Sequence, residues 1–276
     1  MKLSLALGGG AGLGWTHIGV LRAIDESPLE IAAISGTSIG AITGASYAAG
    51  KLDYLEETAR SANYRTIIRF LDPHFKRGAF VGGKAIEREL EEQLGDLSFE
   101  QLSLPVAVVA ADLRTGDTIV MKSGKLVPAV RASMSLPGIF MPVEHEGRLL
   151  VDGGAALPVP VSPARQLAPD ALCLSVNLQD DFLGRAKLAG IMADGSKEPN
   201  SLAIVKASLG LSLRNLGRYS LALDPPDFAL SPRIGHIDMQ NFMHADELIE
   251  IGYNETKKML PEIIEAAKAK EVEATA

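Results

Sequence analysis

The strongest constraint on this chain is a pattern that occurs twice in its first 50 residues: an apolar run, a glycine turn, then a helical periodicity. Lys2–Leu7 reads as a strand, residues 8–14 as a turn and residues 15–25 as a helix. Residues 29–35 read as a second buried strand, residues 36–38 as a turn, and a helix of small residues follows to about Gly50. Repeated strand–helix units call for a mostly parallel sheet with helices on both faces, so the expected fold class is α/β. At 276 residues the chain can bury a full core without disulfides or metals.

Further along, helices are expected at 52–62 and at Lys84–Leu94, the latter with an acidic solvated face. Strands are expected at 105–113 and 117–122 around a turn at Thr115-Gly116, and again at 148–151 and 172–178. A polar loop at 194–200 precedes a helical stretch at 202–223. A long amphipathic helix over 245–268 should be broken or kinked at Pro261. The pattern suggests one domain over 1–268, with 181–233 as a lid-like or variable segment and 269–276 as a disordered tail.

Composition narrows the function. A net charge of −7 argues against nucleic-acid binding, which needs a basic face. The single cysteine, Cys173, has no partner within the chain, which points to a reducing, cytoplasmic setting. No H-E-x-x-H and no cysteine pair is present, so no metal site is expected. The apolar start is broken by glycines too early for a signal peptide. Residues 31–50 carry no charge but hold glycines and hydroxyls that suit a buried strand–turn–helix better than a membrane span.

Three motifs carry chemistry. Gly36-Thr37-Ser38-Ile39-Gly40 is a G-x-S-x-G between a buried strand and a helix, the setting that exposes a nucleophilic serine hydroxyl at a helix N-terminus. The same residues could also form a plain glycine turn with an N-cap serine. Gly8-Gly9-Gly10-Ala11-Gly12-Leu13-Gly14 offers unobstructed backbone N–H groups suited to an oxyanion or a phosphate, although a tight strand–helix turn would use the same residues. It is not a dinucleotide fingerprint, because every G-x-G-x-x-G register places Leu13, Ala11, Trp15 or His17 where glycine is required, and no G-K-[ST] follows. Asp152-Gly153-Gly154 ends an apolar strand; alone it is a common Asp-Gly turn, but beside a serine elbow its carboxylate is a candidate general base.

Taken in order, these motifs and the segment Arg131-Ala132-Ser133-Met134-Ser135-Leu136-Pro137-Gly138-Ile139-Phe140, with Pro142-Val143, resemble the bacterial patatin-like phospholipases over roughly residues 3–180. The resemblance implies a three-layer α/β/α fold and hydrolysis of acyl esters of phospholipids, lysophospholipids or related lipids, without metal or cofactor. It implies Ser38 as nucleophile, Asp152 as its base, and Gly9, Gly10 and Ala11 as oxyanion-hole donors. Two positions depart from that pattern: Ala11 stands where a fourth glycine is usual, and Leu13 where a basic residue is usual.

Two other readings compete. In an α/β-hydrolase triad, His236 or His244 would complete the set, but Ser38 follows too few strands for that fold. A binding or regulatory protein could keep the fold while the changes at Ala11 and Leu13 weaken catalysis. The expected partner is a lipid or acyl-ester substrate, with transient contact at a membrane surface. Arg60, Arg65, Arg69, Lys76 and Arg77, interleaved with Tyr64, Ile67, Ile68, Phe70, Phe75 and Phe80, are candidates for that contact. The 202–223 helix is a candidate lid, dimer face or acyl-channel wall. His17 should pack within the first helix.

Overall fold

The computed structural model describes residues 1–63, 83–191 and 200–275. The strands are β1 (Lys2–Leu7), β2 (Glu30–Thr37), β3 (Val106–Asp112), β4 (Thr118–Met121), β5 (Val143–His145), β6 (Arg148–Asp152), β7 (Leu172–Val176) and β8 (Phe228–Leu230). The helices are α1 (Thr16–Asp25), α2 (Ile39–Ala48), α3 (Leu52–Arg60), α4 (Lys84–Leu94), α5 (Leu126–Ser133), α6 (Val161–Leu167), α7 (Phe182–Leu188), α8 (Ser201–Leu223) and α9 (Ala245–Thr275). The strands form one sheet in the order β5-β6-β3-β2-β1-β7-β8, with β4 paired to β3. From β3 to β8 neighbouring strands are parallel; the antiparallel pairs gather at the other end, around β3, β4, β5 and β6.

The two faces of the sheet follow from strand alternation. Leu3, Leu5 and Leu7 of β1 join Ile34, Leu174 and Val176 on the face covered by α1, α2 and α9. Each leucine is fully buried there, contributing about 1.5–3 kcal/mol. The opposite face carries small residues, Ser4, Ala6, Ser35 and Cys173, over which α6 lies across four strands. Their buried hydroxyls find carbonyl acceptors: Ser4 donates to Leu172 at 3.3 Å and Ser35 to Pro160 at 2.5 Å. Helices on both sides make the α/β/α layering.

Register sets where the site falls. Leu7 pairs with Gly36 on one side and Val176 on the other, so β1, β2 and β7 end together and their following loops share one edge. Open parallel sheets bind ligands at that edge. At β3 the geometry is unusual. β2 leaves off with Thr37 opposite Val109, and β6 begins pairing with Asp152 opposite Ala110. Because β4 spans Val108 to Ala111 on the other side of β3, β2 and β6 must share one edge of it, running toward each other. The residue after Thr37 and the last residue of β6 therefore meet end to end.

The differences from the sequence reading have physical causes. The second strand runs on to Thr37, past the expected end at residue 35, while residues 31–50 form the strand–turn–helix unit expected of them. Among the described residues no helix is long and apolar enough to cross a membrane. The final helix is not interrupted at Pro261, and residues 269–275, expected to be a disordered tail, continue it. Pro261 stands on the exposed side, whereas Leu260, Ile263 and Ala267 are buried, and Lys270 donates to the Ala171 carbonyl at 3.2 Å. Tertiary packing thus outweighs one lost backbone bond.

Candidate active site

Ser38 occupies the turn between β2 and the N-terminus of α2. Its φ of 57° and ψ of −121° lie in a region that side chains avoid, at a cost of roughly 1–3 kcal/mol. The surroundings hold it there. Its N–H donates to Ser133 Oγ at 2.8 Å, and that hydroxyl donates onward to the Val109 carbonyl at 2.6 Å. Its carbonyl accepts from Ala41 and Ile42. The flanking glycines are steric necessities: a Cβ on Gly36 would lie 2.4 Å from the Gly40 carbonyl oxygen, and one on Gly40 only 2.1 Å from that of Leu7.

Asp152 meets Ser38 at the junction on β3. Ser38 Oγ donates to Asp152 Oδ2 at 2.5 Å, and the Gly154 N–H donates to Oδ1 at 2.8 Å. Asp152 donates its own N–H to the Ser135 carbonyl at 3.0 Å. Gly153 lies so close to β3 that a Cβ there would sit 2.3 Å from the Val109 oxygen. Only 4% of Asp152 is exposed. Burial pushes its pKa from 3.8 up to about 6, the bonds from Ser38 and Gly154 opposing only part of the rise. A carboxylate tuned toward neutrality and bonded to a strained hydroxyl can accept that proton as the oxygen attacks.

The glycine loop lies beside them: a Cβ on Gly9 would come within 3.5 Å of Ser38 Cβ. Residues 11–15 form a short 3₁₀ turn leading into α1, so the expected open turn is partly helical. Of the three donors that the resemblance implies, Gly9 is already engaged, giving its N–H to the Pro158 carbonyl at 3.0 Å. Gly8, Gly12 and Leu13 are engaged too, with Val176, Met239 and Gly10. Among the described residues the N–H groups of Gly10 and Ala11 have no acceptor. Ala11 holds φ at 48°, the left-handed region that favours glycine.

The loop is buttressed by residues outside its own motif. His17 is fully buried, and its Nε2 lies 2.8 Å from the Gly8 carbonyl; burial drives its pKa down to about 4, so the ring is neutral and Nε2–H donates. Gln179 Nε2 reaches the Gly9 carbonyl at 3.5 Å, and Arg185 bonds both Gln179 Oε1 and the Leu178 carbonyl. Leu13, at the position where the resemblance expects a cation, is buried in the core. A polar residue on a buried helix face is the available signal for His17; Ser133 lies in the segment that carries the resemblance but is assigned no role there, and nothing in the local pattern marks Gln179 or Arg185.

The late histidines go elsewhere. His236 and His244 both bond the Glu247 carboxylate, at 2.7 and 3.1 Å. Of the basic and aromatic stretch, Arg60 pairs with Glu56 and Asp246 at the end of α3. The rest of that stretch, and residues 194–199 of the polar loop, lie outside the described residues.

A strained serine on a strand–helix elbow thus lies bonded to a buried aspartate, beside a glycine loop, at one edge of the sheet of an α/β/α fold. Residues 5–165 match the family model described as patatin-like phospholipase, and the chain belongs to that family. It is 38% identical over 186 residues to an uncharacterized NTE family protein of Mycobacterium tuberculosis, covering 67% of this chain and 51% of that protein. It is 29% identical over 271 residues to lysophospholipase NTE1 of Pyricularia oryzae, covering 91% of this chain and 18% of that one. The human patatin-like phospholipase domain-containing protein 6 is 33% identical over 186 residues, covering 65% of this chain and 14% of that protein. The chain thus spans about half the length of the mycobacterial relative and far less of the others.

Proposed function

We propose that this chain hydrolyses acyl esters of lipids, with Ser38 as nucleophile and Asp152 as general base. The observation that carries the reading is the 2.5 Å bond from a backbone-strained Ser38 to a buried Asp152. Asp152 Oδ2 takes the hydroxyl proton while Ser38 Oγ bonds to the ester carbonyl carbon. The carbonyl oxygen becomes an oxyanion facing the N–H groups of Gly10 and Ala11. Collapse breaks the bond to the alcohol oxygen, which leaves with the proton from Asp152, and Ser38 carries the acyl group. Water then attacks that ester, giving its proton to Asp152; collapse breaks the bond to Ser38 Oγ, which takes that proton back from Asp152 as the fatty acid leaves. Gly36, Thr37, Ile39 and Gly40 hold the elbow, while Gly153 and Gly154 hold the base.

The lipid substrate class rests on family membership and on relatives named as a lysophospholipase and a phospholipase-domain protein. Such substrates reside in bilayers or micelles, so the enzyme meets them as a peripheral visitor, and the lone Cys173 supports a cytoplasmic setting. The test is labelling with a fluorophosphonate, read by intact mass, on the wild type, Ser38→Ala and Asp152→Asn. One adduct on the wild type, absent from Ser38→Ala and slowed in Asp152→Asn, is the expected result. A folded wild type that takes no adduct would favour the binding-protein reading.

A further inference from the structure

Among the described residues the exposed apolar surface is concentrated in one place. Nine of the thirteen exposed large hydrophobic residues among those described lie in α7, the residues just after it, and α8. On α8 the half-buried side is lined by Ala203, Ala207, Gly210 and Leu213, whereas Ile204, Val205, Ser208, Leu209, Leu211 and Ser212 face outward. Val205 is 63% and Leu209 59% exposed, and Leu183 on the adjoining α7 is 64% exposed. Few soluble surfaces leave so many aliphatic side chains together without a partner.

The charge carried by these helices themselves is one-sided. Residues 182–191 and 200–223 contain five cations, Arg185, Lys187, Lys206, Arg214 and Arg218, and no carboxylate, in a chain with 34 acidic residues. Lys206 and Arg218 flank the outward face of α8 and remain about half exposed, although Asp238 and Asp180 contact them from the body of the protein. An apolar helix face with a cationic margin suits the headgroup boundary of an anionic bilayer. A second copy would suit it less well, since a two-fold contact would oppose cationic margins.

The face also adjoins the site. Asp180, which receives Arg218 at 2.6 Å and Arg214 at 3.8 Å, follows β7 at the shared strand edge. Next to it, Gln179 contacts Gly9, and the Leu178 side chain lies where a Cβ on Gly10 would collide with it. We propose that the outward face of α8, with α7 beside it, seats the protein on an anionic phospholipid surface at the rim of the Ser38 site.

This rests on the reading of Ser38 as a lipid hydrolase nucleophile, and the test separates the two. Binding is measured by sedimentation with vesicles of phosphatidylcholine containing about 30% phosphatidylglycerol. The protein carries Ser38→Ala, so that the lipid is not consumed, and is compared with the same protein bearing V205E and L209E. Both side chains are solvent-exposed, so the fold, checked by thermal melting, should persist. Association is expected to weaken at least ~10-fold in the double variant, and to weaken for the parent protein in high salt. No sedimentation of the parent, equal sedimentation of the variant, or equal binding to pure phosphatidylcholine would overturn the proposal. So would light scattering that shows a dimer which the double variant splits. Separately, wild-type hydrolysis of a water-soluble short-chain ester reports on Ser38: its failure alongside intact vesicle binding sinks the catalytic reading and leaves the surface standing.

Discussion

Asp152→Asn should make the protein more stable at neutral pH while disabling it. A carboxyl whose pKa rises from 3.8 to about 6 on folding binds its proton more tightly in the native state than in the unfolded chain. At pH 7 that carboxylate is charged in both states, and keeping it charged in the interior costs about 3 kcal/mol, at ~1.4 kcal/mol per tenfold change in proton affinity. The residue is 4% exposed, so little of this is relieved by direct contact with water. An asparagine keeps the geometry: its Oδ1 accepts from Gly154, and its Nδ2 donates to Ser38 Oγ in place of the present bond. It removes only the charge.

The gain must therefore depend on pH. Below pH 3.8 the native aspartic acid is already neutral and Asp152→Asn gains nothing. The benefit grows as pH rises through about 6 and levels off above it. The wild-type curve alone would hide this, because His17 runs the other way. Its pKa falls from 6.5 to about 4 on folding, so its neutral burial costs stability as pH drops through the same range. Only the difference between variant and wild type isolates Asp152. Urea titrations at pH 4.5 and 7.5 should show the variant ahead by ~1–3 kcal/mol at the higher pH, equivalent to roughly 3–10 °C in Tm for a chain of this size. An advantage equal at both pH values, or larger at the lower one, refutes the argument that burial raises this carboxyl.

Three further outcomes follow from the same contacts. The kcat/KM for a soluble ester should rise tenfold per pH unit below about 6 and flatten above it, since only ionised Asp152 accepts the Ser38 proton; a profile flat from pH 4.5 to 8 is inconsistent with this role. Ser133→Ala leaves the Ser38 N–H without its acceptor, so kcat should fall ~10-fold with KM little changed and stability drop by ~1–3 kcal/mol, read by ester kinetics and denaturant titration. Ala11→Gly relieves a left-handed alanine and should raise stability by ~0.5–1 kcal/mol without loss of activity, whereas a lower Tm would mean that Ala11 is not strained.

The parts legible in the sequence are those whose physics is local. Lys2–Leu7 and the helix after it, the elbow from Gly36 to Gly40, and the Asp-Gly-Gly turn each announce themselves through periodicity or through glycines that no other residue can replace. Elements fixed by partners distant in sequence were invisible. The short strands β5 and β8 exist because β6 and β7 offer edges to pair with, and α6 is recognisable only once the small residues beneath it are seen together. Gly9 shows the same limit inside the site. The family resemblance implies it as an oxyanion donor, yet its N–H is claimed by Pro158, some 150 residues away. The end of the chain erred in the opposite direction, since a polar composition suggested disorder while docking continues the helix to Thr275.

The pairing at β3 explains why two destabilising features sit together. Ser38 holds a backbone conformation that its side chain resists, and Asp152 carries a charge that its surroundings resist. Neither could persist on a free loop, where the chain would relax and water would enter. Both stand instead at strand ends that meet on one edge of β3, tied to it by Thr37 opposite Val109 and Asp152 opposite Ala110. The Val109 carbonyl anchors the Ser133 hydroxyl that fixes Ser38, and the same oxygen lies close against Gly153 behind Asp152. One peptide group of β3 thus sets the distance between Ser38 and Asp152. The packing around β3, which buries every residue of that strand, holds the site in a geometry that its own residues would otherwise leave.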